Sequence, residues 1–144
     1  DYAEAYNNRG LAHYKQKNFV EATKDFQKAI QFSPNDEKGY NNMAMVFCKQ
    51  GNYEQALIYL EEALAMPNAT NLSHADLYSN LGFIYMKKGM HKEAIEAYNH
   101  AAQITQNKSG NFPDAGNRKN LLCDQIEIDQ RIGGHSLIGK FYGE

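Results

Sequence analysis

The sequence predicts an all-α protein built from stacked antiparallel helix pairs, and three observations lead there. The first is a long-period repeat. Tyr6-Asn7-Asn8 returns as Tyr40-Asn41-Asn42, and again in weaker form as Tyr78-Ser79-Asn80. The second is that residue size recurs in the same register. Small residues stand at Gly10, Ala44 and Gly82, at Ala22, Ala56 and Ala94, and at Ala29, Ala63 and Ala101, with bulky ones at Phe26, Leu60 and Tyr98. The third is a polar turn inside each unit, in the runs KQKNF, KQGNY and KKGMH. Self-similarity at such a period marks a repeat array in which each unit buries its apolar face against the next.

Each unit reads as a helical hairpin. In the first, residues 3–36, Ala22, Phe26, Ala29 and Ile30 keep the three-to-four spacing of one helical face. Ser33-Pro34-Asn35-Asp36 stops its second helix, because proline lacks the N–H and its ring clashes with the preceding turn. Arg9 and His13 stand where the later units have Met43/Leu81 and Phe47/Tyr85, which suits a less buried terminal unit. In the second unit, residues 37–74, Tyr40, Met43, Ala44 and Phe47 make the first helical face, and Gly51 supplies the positive φ of the turn. Extra residues around NATNLSH are expected to bulge from the connecting edge. The third unit, residues 75–108, turns at Gly89 and lacks a terminal proline, so its second helix is expected to run on toward Ser109-Gly110.

A capping helix is expected at about 114–132, where Leu122, Cys123 and Ile126 form a stripe that Gly133-Gly134 ends. Residues 1–132 thus make one repeat domain and 133–144 a C-terminal tail. The tail carries Leu137, Ile138, Phe141 and Tyr142 and is expected to fold back on the cap. Its alternative fates are a downstream domain, or the groove of its own or a neighbouring molecule, which would give self-association. The chain begins at Asp1 rather than Met, which reads as a segment of a longer polypeptide, with a leader upstream left open.

The pattern Tyr…Gly…Tyr/Phe…Ala…Phe/Tyr…Ala…Pro within each unit resembles the tetratricopeptide repeat, and the resemblance covers residues 3–108. It implies a right-handed superhelical solenoid whose first helices line a concave surface. It also implies a non-enzymatic adaptor or scaffold module that holds an extended peptide of a partner protein in that groove. In such a fold Tyr6, Tyr40 and Tyr78 are packing knobs between helices.

The asparagines carry the functional expectation. Asn8, Asn42 and Asn80 each precede the small packing residue by two positions, a rotation of about 200° that turns them toward the hollow. Asparagine has no advantage inside a helix, and its amide both donates and accepts, matching a peptide backbone. In members of the resembling family an asparagine ladder of this kind grips the backbone of a bound peptide. Replacing Asn42 is therefore expected to weaken binding and to spare the fold. Two further columns share the face, Leu11, Met45 and Phe83, then Tyr14, Cys48 and Met86, edged by Lys15, Lys49 and Lys87. Together they fit an extended segment with apolar and acidic side chains. The family's clamp for chaperone C-termini uses a set of lysines, asparagines and an arginine. Here Asn7, Leu11, Asp76 and Asn80 occupy four of those places and only Asn42 matches, so that specificity does not carry over.

Other functions find no support in the chain. Apolar residues make up 42% and charged residues 22%, as in ordinary globular domains. A net charge of −2, with arginine only at Arg9, Arg118 and Arg131, leaves no electrostatic footprint for nucleic acid. The longest apolar run, Met43–Cys48, is far short of the roughly 20 residues of a membrane span. Cys48 and Cys123 have no metal-ligand spacing and read as reduced thiols of a cytoplasmic protein. The histidines are scattered, so no metal, catalytic group or cofactor is expected. Gly134–Lys140 imitates a phosphate-binding loop, but Phe141 stands where Ser or Thr must bind magnesium, and no strand precedes it. The competing reading is a regulatory or substrate-recruiting domain of a larger multidomain enzyme.

Overall fold

Helix geometry follows from where the caps and turns fall. The computed structural model describes residues 1–67 and 71–109. Among them are six helices: α1 (Tyr2–Lys15), α2 (Phe19–Phe32), α3 (Glu37–Lys49), α4 (Tyr53–Leu64), α5 (Asn71–Lys87) and α6 (His91–Ser109). Asp1 caps α1 by accepting from the Ala3 N–H at 3.0 Å, and Asp36 caps α3 through Lys38 N–H at 3.1 Å. Each carboxylate satisfies a backbone donor that the first turn leaves open and complements the positive end of the helix dipole. The turns inside the hairpins need one residue at positive φ. Gly51 and Gly89 take it at +75°, whereas Lys17 takes it at 62° in the first unit.

The six helices pair as α1·α2, α3·α4 and α5·α6, and the pairs stack through α2·α3 and α4·α5. The first helices also touch directly, α1 with α3 and α3 with α5, so they form one continuous side of the array. The hairpin crossings are closed by matched side-chain sizes. A Cβ on Gly10 would stand 2.5 Å from Phe26 Cε1, and one on Gly82 would stand 2.8 Å from Tyr98 Cε1. In the second unit the equivalent places hold Ala44 and Leu60, both fully buried. A flat ring thus goes with glycine, and a branched aliphatic chain with alanine. Tyr6, Tyr40 and Tyr78 are half-buried, and each meets a ring of its own unit's second helix: Phe32 at 5.6 Å, Tyr59 at 6.3 Å and His100 at 5.1 Å.

Two expectations about the helices resolve differently. The insertion in the second unit does not simply bulge, because Asn71–His74 are helical and lengthen α5 at its start. Further local hydrogen bonding is cheaper than looping the extra residues out. The third unit's second helix does run on, α6 having 19 residues against 14 in α2 and 12 in α4. The capping helix at about 114–132, the tail at 133–144, Cys123 and Gly134–Lys140 lie outside the described residues.

The terminal unit is built unlike the others. Where the second unit stacks Phe47 on Tyr59 at 5.5 Å, the first has Arg9, His13 and the buried Asp25. Arg9 Nε and Nη2 donate to the two Asp25 carboxylate oxygens at 2.8 and 2.7 Å, and His13 Nε2 lies 3.9 Å from Oδ2. The fork of two hydrogen bonds holds the Asp25 carboxyl below its usual range against the opposing cost of its burial.

Candidate functional site

The columns read from the sequence lie on α1, α3 and α5, the helices that adjoin along one side of the array. On α1, Asn8 and Lys15 are exposed, Leu11 is half-buried and Tyr14 is buried. On α3, Asn42, Met45 and Cys48 are buried and Lys49 is half-buried. On α5, Asn80 and Phe83 are buried, Met86 is half-buried and Lys87 is exposed. Lys87 Nζ sits 5.3 Å from the centre of the Phe83 ring, a cation–π contact that joins the cationic edge to the apolar column.

The amide column is not the open ladder expected. Of its three members only Asn8 is exposed; Asn42 and Asn80 retain 2% and 0% of their surface. Asn42 Nδ2 donates to Asn7 Oδ1 at 3.1 Å, and Asn80 Nδ2 donates to Asn41 Oδ1 at 2.8 Å. The second asparagine of one unit is therefore tied to the first asparagine of the unit before it. Asn8 has no unit before it within the described residues, and it is the exposed one. At the other end Ser79 replaces the first asparagine, and its Oγ donates to the Ala75 carbonyl of its own helix at 2.9 Å. The role of Asn7 and Asn41 was missed from the sequence, although their recurrence beside Asn8 and Asn42 was the available signal.

These bonds tie each first helix to the one before it, α3 to α1 and α5 to α3. Asn42 Oδ1 is buried and meets no donor among the described residues. Cys48 shows how closely the columns approach. Burial pushes its thiol up to about 11, against the opposite pull of Lys49 and of Lys87 on the neighbouring first helix. At neutral pH it is a protonated apolar filler, not a nucleophile. Among the described residues no group of His, Cys, Asp and Glu is arranged to hold a metal, and no helix is long and apolar enough to cross a membrane.

Comparison with known proteins decides the family. A tetratricopeptide repeat model matches residues 3–36 and 75–115, and a second model of that description matches residues 25–58. The chain belongs to the tetratricopeptide repeat family. As such it is a protein-interaction module with an all-α solenoid fold. It is 37% identical over 93 residues to the Hsp70-Hsp90 organising protein of Plasmodium falciparum, covering 62% of this chain and 16% of that one. It is 30% identical over 98 residues to the peptidyl-prolyl cis-trans isomerase CYP7 of Saccharomyces cerevisiae, covering 65% of this chain and 25% of the relative. This tetratricopeptide chain therefore spans a quarter or less of either relative. Its fold is also that of the first TPR of Spaghetti (RPAP3) bound to the HSP90 peptide SRMEEVD. The TM-score is 0.65 at 18% identity, over 91% of this chain and 93% of that one.

Proposed function

We propose that the side formed by α1, α3 and α5 is a groove that holds an extended segment of a partner protein, and that the chain acts as an adaptor without catalytic activity of its own. The reading is carried by one observation: amide bonds tie α1 to α3 and α3 to α5, a register in which Leu11, Met45 and Phe83 would serve as one column and Tyr14, Cys48 and Met86 as the next. Lys15, Lys49 and Lys87 border them at the ends of α1, α3 and α5. The partner segment presents apolar side chains to the columns and acidic ones to the lysine edge.

The test is binding of an acidic, apolar peptide to wild type and to the Lys49→Ala, Lys87→Ala double variant across a salt series. Exposed ion pairs contribute about 0.2–1 kcal/mol each, and salt screens them. The double variant should bind more weakly at low salt and show a flatter salt dependence. Equal affinity and equal slope in both proteins would contradict the groove.

A second reading is favoured by the match to a peptidyl-prolyl isomerase, of which this chain covers 25%. There the same groove would recruit substrates to a catalytic domain elsewhere in a longer polypeptide. Both readings use one surface, and they separate on whether the full-length gene product has isomerase or other catalytic activity.

A further inference from the structure

Resting on that groove reading, we infer that the partner segment binds as a polyproline II stretch with an acidic side chain at every third residue. The lysine row carries this. Lys15, Lys49 and Lys87 are each the last residue of their helix, α1, α3 and α5, and so hold the same place in each unit. Lys15 and Lys87 are exposed, and Lys49 is half-buried. Among the described residues Lys24 and Lys88 form ion pairs with Glu21 and Glu54, whereas no carboxylate lies within ion-pair distance of the three row lysines. Lys87 is held over the Phe83 ring at 5.3 Å, and the charges of Lys49 and Lys87 both act on the Cys48 thiol. A cation in the last turn of a helix suits the dipole whatever binds there. The spacing of the row is what selects a partner.

Helix packing sets that spacing. Asn42 of α3 bonds to Asn7 of α1 at 3.1 Å and Asn80 of α5 to Asn41 of α3 at 2.8 Å, so each step of the row joins two helices in direct side-chain contact. Helices packed in this way have axes about 8–10 Å apart. A polyproline II chain turns once in three residues and advances about 9 Å in doing so, which returns every third side chain to one face. One turn of the partner thus matches one step of the array. A β-strand returns to the same face after about 7 Å, and an α-helix advances only about 5.4 Å per turn. Over the two steps from Lys15 to Lys87 either would fall out of step with the row. Keeping both outer pairs would then stretch the lysine side chains at a cost in rotamer freedom. Polyproline II also makes no internal hydrogen bonds and keeps its backbone solvated, so it asks nothing of the buried Asn42 and Asn80 amides.

The experiment uses the intact chain and synthetic peptides with acetylated and amidated ends. All share one composition, three glutamates with leucine and proline between them, and differ only in whether the glutamates stand two, three or four residues apart. Affinities are measured at low salt for wild type and for the Lys49→Ala, Lys87→Ala protein, whose fold is checked by circular dichroism. In wild type the three-residue spacing should bind roughly three- to tenfold more tightly than either of the others, the worth of one or two exposed ion pairs. That preference should vanish in the double variant, and replacing the prolines with glycine should weaken the best peptide. Equal affinities for the three spacings, tightest binding at two or four, or a preference that survives in the double variant overturns the inference and leaves the groove standing. So does a glycine peptide that binds as tightly as its proline parent. No saturable binding by any of the peptides overturns the groove reading and this inference with it.

Discussion

Asn42 on α3 donates its amide to Asn7 on α1 at 3.1 Å, and both side chains are buried. This bond couples two successive units through their first helices, and it changes what substitution there should do. With Asn7→Ala, the whole Asn42 amide is left without protein partners, since Oδ1 already lacks one. Unsatisfied buried polar groups cost about 1–3 kcal/mol. Asn7→Ala should therefore destabilise by that amount, whereas adding Asn42→Ala to it removes the stranded amide and restores part of the loss. Denaturant melts of the two single variants and the double variant check this. Additive effects would mean the two amides are energetically independent.

The crossing of α1 and α2 gives a second expectation. A Cβ on Gly10 would meet the Phe26 ring at 2.5 Å, so Gly10→Ala overpacks the crossing and should cost about 1–3 kcal/mol. The second unit supplies the remedy, because Ala44 there is paired in register with Leu60. Gly10→Ala combined with Phe26→Leu should be more stable than the sum of the single effects allows. Thermal melts of the four proteins measure the coupling, and a coupling of zero would break the size-matching argument.

The repeat register, the helix pairs and the turn positions were legible because each rests on a period: side-chain size recurring once per unit, and apolar spacing of three to four. The groove columns were legible for the same reason. Two things were not. Asn42 and Asn80 were assigned to open space because rotation about a single helix says which way a residue points, not what the neighbouring helix places there. Nothing local marks Asp25, because a lone carboxylate on a second helix reads as solvated. Register could have found it, since Asp25 stands where the second unit has Tyr59 and the third Ala97. The exchange of an apolar pair for Arg9 and Asp25 is visible only when both helices are compared at once.

That ion pair predicts a pH dependence. The Asp25 carboxyl is held below its usual range by Arg9, so its contribution to stability is fully present above the unfolded carboxylate pKa of about 3.9. It is lost as pH falls through the lower folded value. Melting temperature should thus drop more steeply as pH falls below about 4 in wild type than in Arg9→Met, Asp25→Tyr, which copies the second unit. Near neutral pH that double variant should be about as stable as wild type, because Arg9 is exposed and an ion pair open to solvent on one side contributes only about 0–1 kcal/mol. Identical acid limbs in the two proteins would show that the pair is not linked to folding.

Lys17 offers a gain. It holds φ at 62° where the other two units have glycine at +75°. The left-handed conformation costs an L-residue about 1–2 kcal/mol, part of which glycine returns through the greater freedom of its unfolded chain. Lys17→Gly should raise stability by about 0.5–1 kcal/mol, read as a higher melting temperature. A lower one would mean the Lys17 side chain makes contacts worth more than the strain.

If the side lined by α1, α3 and α5 is the binding surface, the methionines can report on it directly. Met45 and Met86 lie in its apolar columns, while Met66 follows α4 and Met90 sits in the turn before α6. Methyl-labelled methionine spectra recorded while an acidic, apolar peptide is titrated in would follow each of them. The Met45 and Met86 methyl resonances should shift together and saturate, with Met66 and Met90 unmoved. Saturable shifts at Met66 or Met90 with Met45 and Met86 unchanged would place binding on another face and contradict the groove.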